Sequence, residues 1–281
     1  PVFLKEHYRG LPLYENLRTI FTVHNLKFQG QYSDMIIGDV LGLYGTEGGY
    51  AVTQDFGNGS RCANFLQGAL LTSDKITTVS PSYADEICGE YYGEHMDGIF
   101  RMRRGDLSGL LNGIDYEVYD PEKNANLTYK FSAKTIEERK KNKLEVQKAA
   151  GLEENADLPL FILVSRLTEQ KGLDLLTYIL PDIMARPMQL LVLGVGDNKY
   201  EEAFSWYAER YPGKMAAYLA FDEPFSHKMY AGADVTLIPS RFEPCGLTQM
   251  MAMRYGSVPL VRETGGLKDS VMPYNKYTGE G

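Results

Sequence analysis

From Leu158 onward the chain alternates strand-sized apolar runs, at 159–165, 189–194, 216–221, 235–239 and 258–262, with helical segments between them. Successive strands joined by helices pair in parallel, because a parallel neighbour needs a long crossover, and the helices then cover both faces of the sheet. The expected fold class is α/β, a doubly wound parallel sheet. In such a sheet, ligands bind in the crevice beyond the carboxyl ends of the strands, so the residues just after each apolar run are where chemistry is expected.

The first half carries a weaker version of the same pattern. Leu17 to His24 reads as a buried strand ending at His24, Lys75 to Val79 as a second strand, and Ser80-Pro81 as a helix start with proline in the first turn. Gly30 to Gly59 holds eight glycines among aromatic and acidic residues and reads as mostly irregular chain, too long for a mere connection. Cys62 to Leu71 has a helical pattern. Ser132 to Ala150 reads as a charged, solvated connector helix, with Glu137 and Lys141 spaced for an i,i+4 pair, ending at Gly151. A chain of 281 residues suits two domains. The polar stretch at 151–158 sets the expected boundary, giving domains 1–150 and 151–281 with a hinge near 151–158.

Composition excludes several classes. With 37 acidic against 29 basic residues and a net charge of −8, no broad basic surface is available, and a nucleic-acid partner is not expected. No apolar run approaches the ~20 residues of a membrane helix, and no membrane partner is expected. Three widely spaced cysteines, Cys62, Cys88 and Cys245, read as reduced thiols of a cytosol-like compartment. The chain begins at Pro1 and stops in a polar, glycine-rich string, so both ends are expected to be cut. Oligomeric state is not legible.

The strand ends carry the chemistry. After the fourth run of the second half comes Ser240-Arg241-Phe242-Glu243-Pro244-Cys245-Gly246-Leu247-Thr248-Gln249. Glu243 is an acceptor suited to sugar hydroxyls, and the helix opened by Gly246 offers free N–H groups to a phosphate. Together they suggest a nucleotide-sugar. After the first run, Arg166 and Lys171 lie five residues apart across a turn into a helix, a spacing that lets both reach one diphosphate. Thr264, Gly265 and Gly266 open another helix and add N–H donors. Leu193-Gly194-Val195-Gly196-Asp197 lacks the third glycine of a dinucleotide fingerprint and reads as a tight turn near the ligand. Phe221 stands where an aromatic either stacks on a nucleobase or fills the core. Cys245 is expected to line the site as a small buried group and not to act as a nucleophile. No carboxylate or histidine cluster is spaced to hold a metal, so no metal is expected.

These motifs resemble those of the bacterial glycogen synthase and plant starch synthase family, retaining glucosyltransferases of the GT-B fold. The likeness rests on the 240–249 string, on Ser165-Arg166-Leu167-Thr168-Glu169-Gln170-Lys171-Gly172-Leu173, on Thr22-Val23-His24-Asn25-Leu26 with Gln29-Gly30, and on Asn112-Gly113-Ile114-Asp115. It implies two Rossmann-like domains facing a cleft, both incomplete here, since the family's protein is longer at both ends and carries a Lys-Thr-Gly-Gly-Leu phosphate motif upstream.

The resemblance further implies ADP-glucose as donor, an α-1,4-glucan as acceptor, no cofactor, and a bacterial cytoplasm in preference to a plastid stroma. By the same likeness Arg166 and Lys171 hold the distal phosphate, and Glu243 lies under the glucose. Cys245, Gly246 and Leu247 line its pocket, His24 faces the sugar from the first domain, and Asn25 and Asn112 bind substrate. His7, His95 and His227 have no such company. Many retaining relatives carry a second glutamate eight positions after the first; here that position is Met251, which leaves Glu243 as the motif's one carboxylate and argues against a double displacement through paired carboxylates. Another nucleotide-sugar, or a catalytically silent glucan-binding fragment, are the alternatives.

Overall fold

The computed structural model describes Pro1–Gly281 and divides into two compact units, Pro1–Leu111 and Asn112–Gly281. The first unit contains strands β1 (Ile20–Val23), β2 (Gln31–Ser33), β3 (Thr53–Asp55), β4 (Arg61–Asn64), β5 (Lys75–Thr78) and β6 (Leu107–Gly109). Its helices are α1 (Ile36–Asp39), α2 (Glu47–Val52), α3 (Phe65–Thr72), α4 (Pro81–Glu86) and α5 (Asp97–Met102). Strands β1, β5 and β6 form a parallel sheet in the order β1-β5-β6. Its inner residues Val23, Ile76 and Leu107 pack with Tyr83 and Phe100. Register is fixed at the strand starts, where the Asp74 carboxylate accepts the Thr19 N–H at 2.7 Å and its hydroxyl at 2.9 Å. At the other end of β5, the Ser80 side chain caps α4 by accepting the Tyr83 N–H, with Pro81 in the first turn.

The glycine-rich stretch is more ordered than its composition indicates. Strands β2, β4 and β3 form an antiparallel sheet in that order, and Cys62 to Asn64, expected to begin a helix, lies in its central strand. Asn64 explains the difference. Fully buried, its side-chain amide donates to Gln29 Oε1 at 2.6 Å and Gln54 Oε1 at 2.9 Å, while its oxygen accepts the Gln67 N–H and caps α3. One residue ends a strand and starts a helix, and three-residue strands show too little alternation to be read.

The second unit holds β7 (Leu160–Val164), β8 (Gln189–Leu193), β9 (Met215–Tyr218), β10 (Val235–Ile238) and β11 (Val258–Val261). Its helices are α6 (Arg139–Ala149), α7 (Leu173–Met184), α8 (Asn198–Arg210), α9 (Glu223–Gly232), α10 (Thr248–Arg254) and α11 (Gly265–Ser270). All five strands are parallel, in the order β11-β10-β7-β8-β9. Alternate side chains serve opposite cores. Leu160, Ile162, Leu191 and Leu193 pack with Met229 and Tyr255 on one face, whereas Leu163, Leu190 and Val192 pack with Leu173, Leu180 and Phe204 on the other. Both faces are therefore covered, as a doubly wound sheet requires. Strand order reverses between β7 and β10, and the switch point lies there.

The units divide at Leu111–Asn112 and not near 151–158. Residues 112–150 pack on the second unit: Leu127, Phe131 and Val146 belong to its core, and α6 lies along α9. The 132–150 segment is thus no solvated connector. It opens with a 3-10 turn over Ala133–Glu138, whose tighter winding brings Glu137 to Lys140 and Glu138 to Lys141, so the pairs are i,i+3 and Glu137–Lys141 does not form. The inner face of α6 is polar yet buried. Lys143 Nζ donates to Asp234 Oδ2 at 2.7 Å and to the Ala156 carbonyl at 2.8 Å, and the same Asp234 oxygen accepts the Leu160 N–H. Lys143→Met is expected to destabilise the second unit by about 1.5–3 kcal/mol, the range for a charge-assisted hydrogen bond, as read from its urea midpoint. An unchanged midpoint would show that this ion pair does not fasten α6.

Candidate functional site

The loops after β7 and β10 meet at the switch point, and a glycine lets them meet. Gly172 has φ +66°, and a Cβ there would stand 1.9 Å from the Pro239 carbonyl oxygen. Only glycine combines that conformation with that approach. The contact is extended by the Arg241 N–H, which donates to the Gln170 carbonyl at 2.9 Å. The Arg241 guanidinium reaches Glu169 at 2.8 Å and Asp174 at 2.7 Å, holding the Asp174 carboxyl below its ordinary range. This clamp fixes the turn that carries Lys171. No local pattern marks Arg241, since its partners lie 67 and 72 positions away.

Glu243 is buried at the centre of this junction. Its Oε2 accepts from Lys171 Nζ at 2.6 Å and from the Ser240 hydroxyl at 2.9 Å, while its Oε1 makes no hydrogen bond within the protein. Lys171 and Arg166, expected to act on one diphosphate, are placed differently from each other: Lys171 is committed to Glu243, while Arg166 is exposed and lines a separate pocket.

Beyond Glu243 the loop carries Cys245, Gly246 and Leu247 into α10, which begins at Thr248, two residues after Gly246. Gln249, fully buried, donates to the Cys245 and Gly246 carbonyls, both at 3.0 Å, and to the Ser270 hydroxyl. Burial pushes the Cys245 thiol up, against a hydrogen bond from the Asn112 backbone that lowers it, so the sulfur is a protonated lining group. The same contact brings Asn112 to the site loop.

Thr264 stands at the N-cap position of α11 without a side-chain capping bond, and the donors behind it are not all free. The Gly266 N–H donates to the Glu243 carbonyl at 3.0 Å, so it is spent inside the loop and not held out for a phosphate. A Cβ on Gly266 would lie 2.1 Å from the Cys245 carbonyl oxygen, which makes close packing this glycine's requirement.

Beside this junction, over the ends of β7, β8 and β9, opens a pocket of about 340 Å³. Val164, Leu193 and Val195 give it an apolar lining, Tyr119 and Phe221 are its aromatic walls, and Arg166 stands at it as the cation. Phe221 is 89 % exposed, which removes the core alternative. The Gly194–Asp197 segment, expected to be a tight turn, instead pairs as a parallel bridge, Gly196 with Leu167, whose N–H donates to the Val195 carbonyl and whose carbonyl accepts the Asp197 N–H.

Tyr119 was not singled out from sequence, nor was the residue behind it. His227 stacks on the Tyr119 ring with centroids 5.0 Å apart, and it is buried. Its Nδ1 lies 2.7 Å from the Asn124 amide nitrogen and 3.0 Å from the Tyr255 hydroxyl. Since Asn124 can only donate there, Nδ1 accepts and Nε2 carries the proton of a neutral ring. Burial holds the His227 pKa below its ordinary 6.5, with Glu223 opposing the shift. A depressed imidazole pKa means that the unfolded chain binds the extra proton first, so stability is complete above about 6.5 and falls as pH drops through the folded value. Urea midpoints are expected to decline below pH 6.5 in the wild type and to decline less in His227→Gln; equal declines would show that His227 does not titrate in this way.

In the first unit, His24 sits exposed at the carboxyl end of β1, just past Val23. Asn25 is engaged, its side-chain oxygen accepting the Lys27 N–H at 3.1 Å, and Leu26 N–H donates to the Tyr83 hydroxyl. Gln29 is buried in the Asn64 network and is structural. Within this motif His24 alone offers a ring without a protein hydrogen bond.

Comparison with known proteins agrees with this layout. Residues 1–102 match the family model "Starch synthase catalytic domain", and residues 146–280 match "Glycosyl transferases group 1". Glycogen synthase of Geobacillus stearothermophilus is 51 % identical over 281 residues, covering all of this chain and 57 % of that protein. Glycogen synthase of Clostridium acetobutylicum is 47 % identical over 282 residues, covering all of this chain and 58 % of that protein. The solved catalytic domain of starch synthase IV from Arabidopsis thaliana, bound to ADP and acarbose, superposes with a TM-score of 0.86 at 33 % identity, over 99 % of this chain and 57 % of that one. The chain thus spans somewhat more than half the length of the relatives it matches. Two parallel-sheet α/β units with the site at the strand ends are the GT-B class of fold. Over its whole length the chain is similar to glycogen synthases and to a starch synthase.

Proposed function

We propose that this chain supplies the donor-sugar site of an enzyme that moves glucose from ADP-glucose to the non-reducing end of an α-1,4-glucan with retention of anomeric configuration. The observation that carries the reading is a buried Glu243, paired with Lys171 at the switch point, beside a pocket of nucleoside size. Relatives named glycogen synthase, and a starch synthase domain bound to ADP and acarbose, support it.

On this reading the base occupies the pocket between Tyr119 and Phe221, and Arg166 and Lys171 meet the diphosphate. Lys171 exchanges its Glu243 partner for a phosphate oxygen, which releases the glutamate to sugar hydroxyls. A leaving diphosphate held by two cations needs no cofactor. Its departing oxygen takes the proton of the incoming glucan hydroxyl on the same face, while Glu243 stabilises the oxocarbenium-like state. Asn112, Cys245, Gly246 and Leu247 line the sugar end.

In the whole protein, Lys171→Ala or Arg166→Ala is expected to slow transfer by ~10²–10³, the scale of losing one preorganised donor. Unaltered rates at saturating ADP-glucose would take that residue out of the mechanism. Glu243→Gln is expected to lose rate as well. No glucosyl-enzyme should accumulate in either form, and a glucose-sized mass adduct on Glu243 after quenching during turnover would replace this mechanism with a covalent one.

A further inference from the structure

The base pocket is lopsided in its hydrogen-bonding groups. Away from Arg166, which stands at the β7 end, the polar side chains along its α9 side are Asp222, Glu223 and Ser226. Asp222 is occupied, since Oδ1 accepts the Phe225 N–H at 2.8 Å and caps α9. Ser226 donates its hydroxyl proton to the Glu223 carbonyl at 2.7 Å and presents lone pairs to its surroundings. The Glu223 carboxylate, in the first turn of α9, has no ion-pair or hydrogen-bond partner, and the nearby Lys228 is committed to Glu145 at 2.8 Å. Glu223 lines this pocket and the neighbouring one behind Tyr119, so its charge stands beside the aromatic wall. The direction in which it moves Tyr119 and His227, favouring protonation of both, agrees with that placement.

This side of the pocket is all acceptors. We propose that Glu223 is the residue that selects the base: its carboxylate accepts a hydrogen bond from the exocyclic amino group of adenine and repels the carbonyl oxygen that hypoxanthine or uracil presents at the matching position. The proposal rests on the reading of this pocket as the nucleotide site and adds the group that discriminates within it. Aromatic walls alone hold any planar base, because every base has a π-face. A carboxylate separates an amino from an oxo substituent because one donates to it and the other does not, and a mismatched polar group facing a charge loses far more affinity than a missing apolar contact. In the sequence Glu223 looks like an ordinary acidic residue at a helix start, and only the fold brings it to the ends of the strands.

Calorimetric titration of this chain with ADP, IDP and UDP tests the assignment. IDP keeps the purine ring and the phosphates and changes only the C6 edge, so stacking and phosphate binding are held constant. The wild type is expected to prefer ADP over IDP by about 10-fold or more. In Glu223→Gln the amide can turn a donor toward an oxo group, and the preference should fall to about 3-fold or less, with IDP binding tighter than it does to the wild type. Glu223→Ala should lose preference too, by weakening ADP and relieving the repulsion of IDP, with a smaller gain for IDP than the amide gives. Glu223 is exposed on the first turn of its helix, so both variants keep the fold. An ADP-to-IDP ratio unchanged in both variants, with ADP still bound, overturns the role of Glu223 and leaves the nucleotide site standing. Failure of the wild type to bind any of the three nucleotides overturns the nucleotide site itself, and the selectivity with it.

Discussion

Everything at the site depends on how closely the loops leaving β7 and β10 approach each other. The two strands are neighbours in the sheet, yet the chain departs from them toward opposite edges, which leaves a crevice between their ends. Closing that crevice to contact distance takes a residue with no side chain, Gly172, under the Pro239 carbonyl. Lys171 is the next residue back along the chain and Glu243 lies four beyond Pro239, so their 2.6 Å contact follows from that one approach. The Gly266–Cys245 packing does the same for the far side of the loop.

A buried ion pair rarely adds net stability, because desolvating both charges offsets most of their attraction. Lys171–Glu243 is better understood as two groups kept dry and oriented beside a place for a ligand. The Ser240 hydroxyl fixes the carboxylate from a second direction, and Arg241, outside on the surface, fixes the turn beneath the lysine. Both groups are thereby held in place in the free chain, and the proposed exchange of partners starts from that arrangement.

Much of the second unit was legible from its sequence, since strands buried on both faces are continuous apolar runs and all five appeared within about three residues of their observed ends. Short pieces were not. The β2-β4-β3 sheet consists of three- and four-residue strands among glycines, and the domain boundary was hidden because α6 buries Asn142, Lys143 and Gln147, residues that read as solvent-facing until their partners are known. The site divides in the same way. Motif residues such as Glu243 and Arg166 are marked by their position after strand-sized runs, whereas the partner that Lys171 takes, the clamp formed by Arg241 and the His227 support of Tyr119 are products of distance in sequence and nearness in space.

The point where the chain enters the second unit lies beside the loop that follows Glu243. Asn112 is the first residue of that unit, and its backbone also holds the Cys245 sulfur on the loop that follows Glu243. The residue by which the chain enters this unit is therefore also a neighbour of the loop that carries Cys245. A shift of the backbone at Asn112 is thus felt at the Cys245 thiol, far away in sequence.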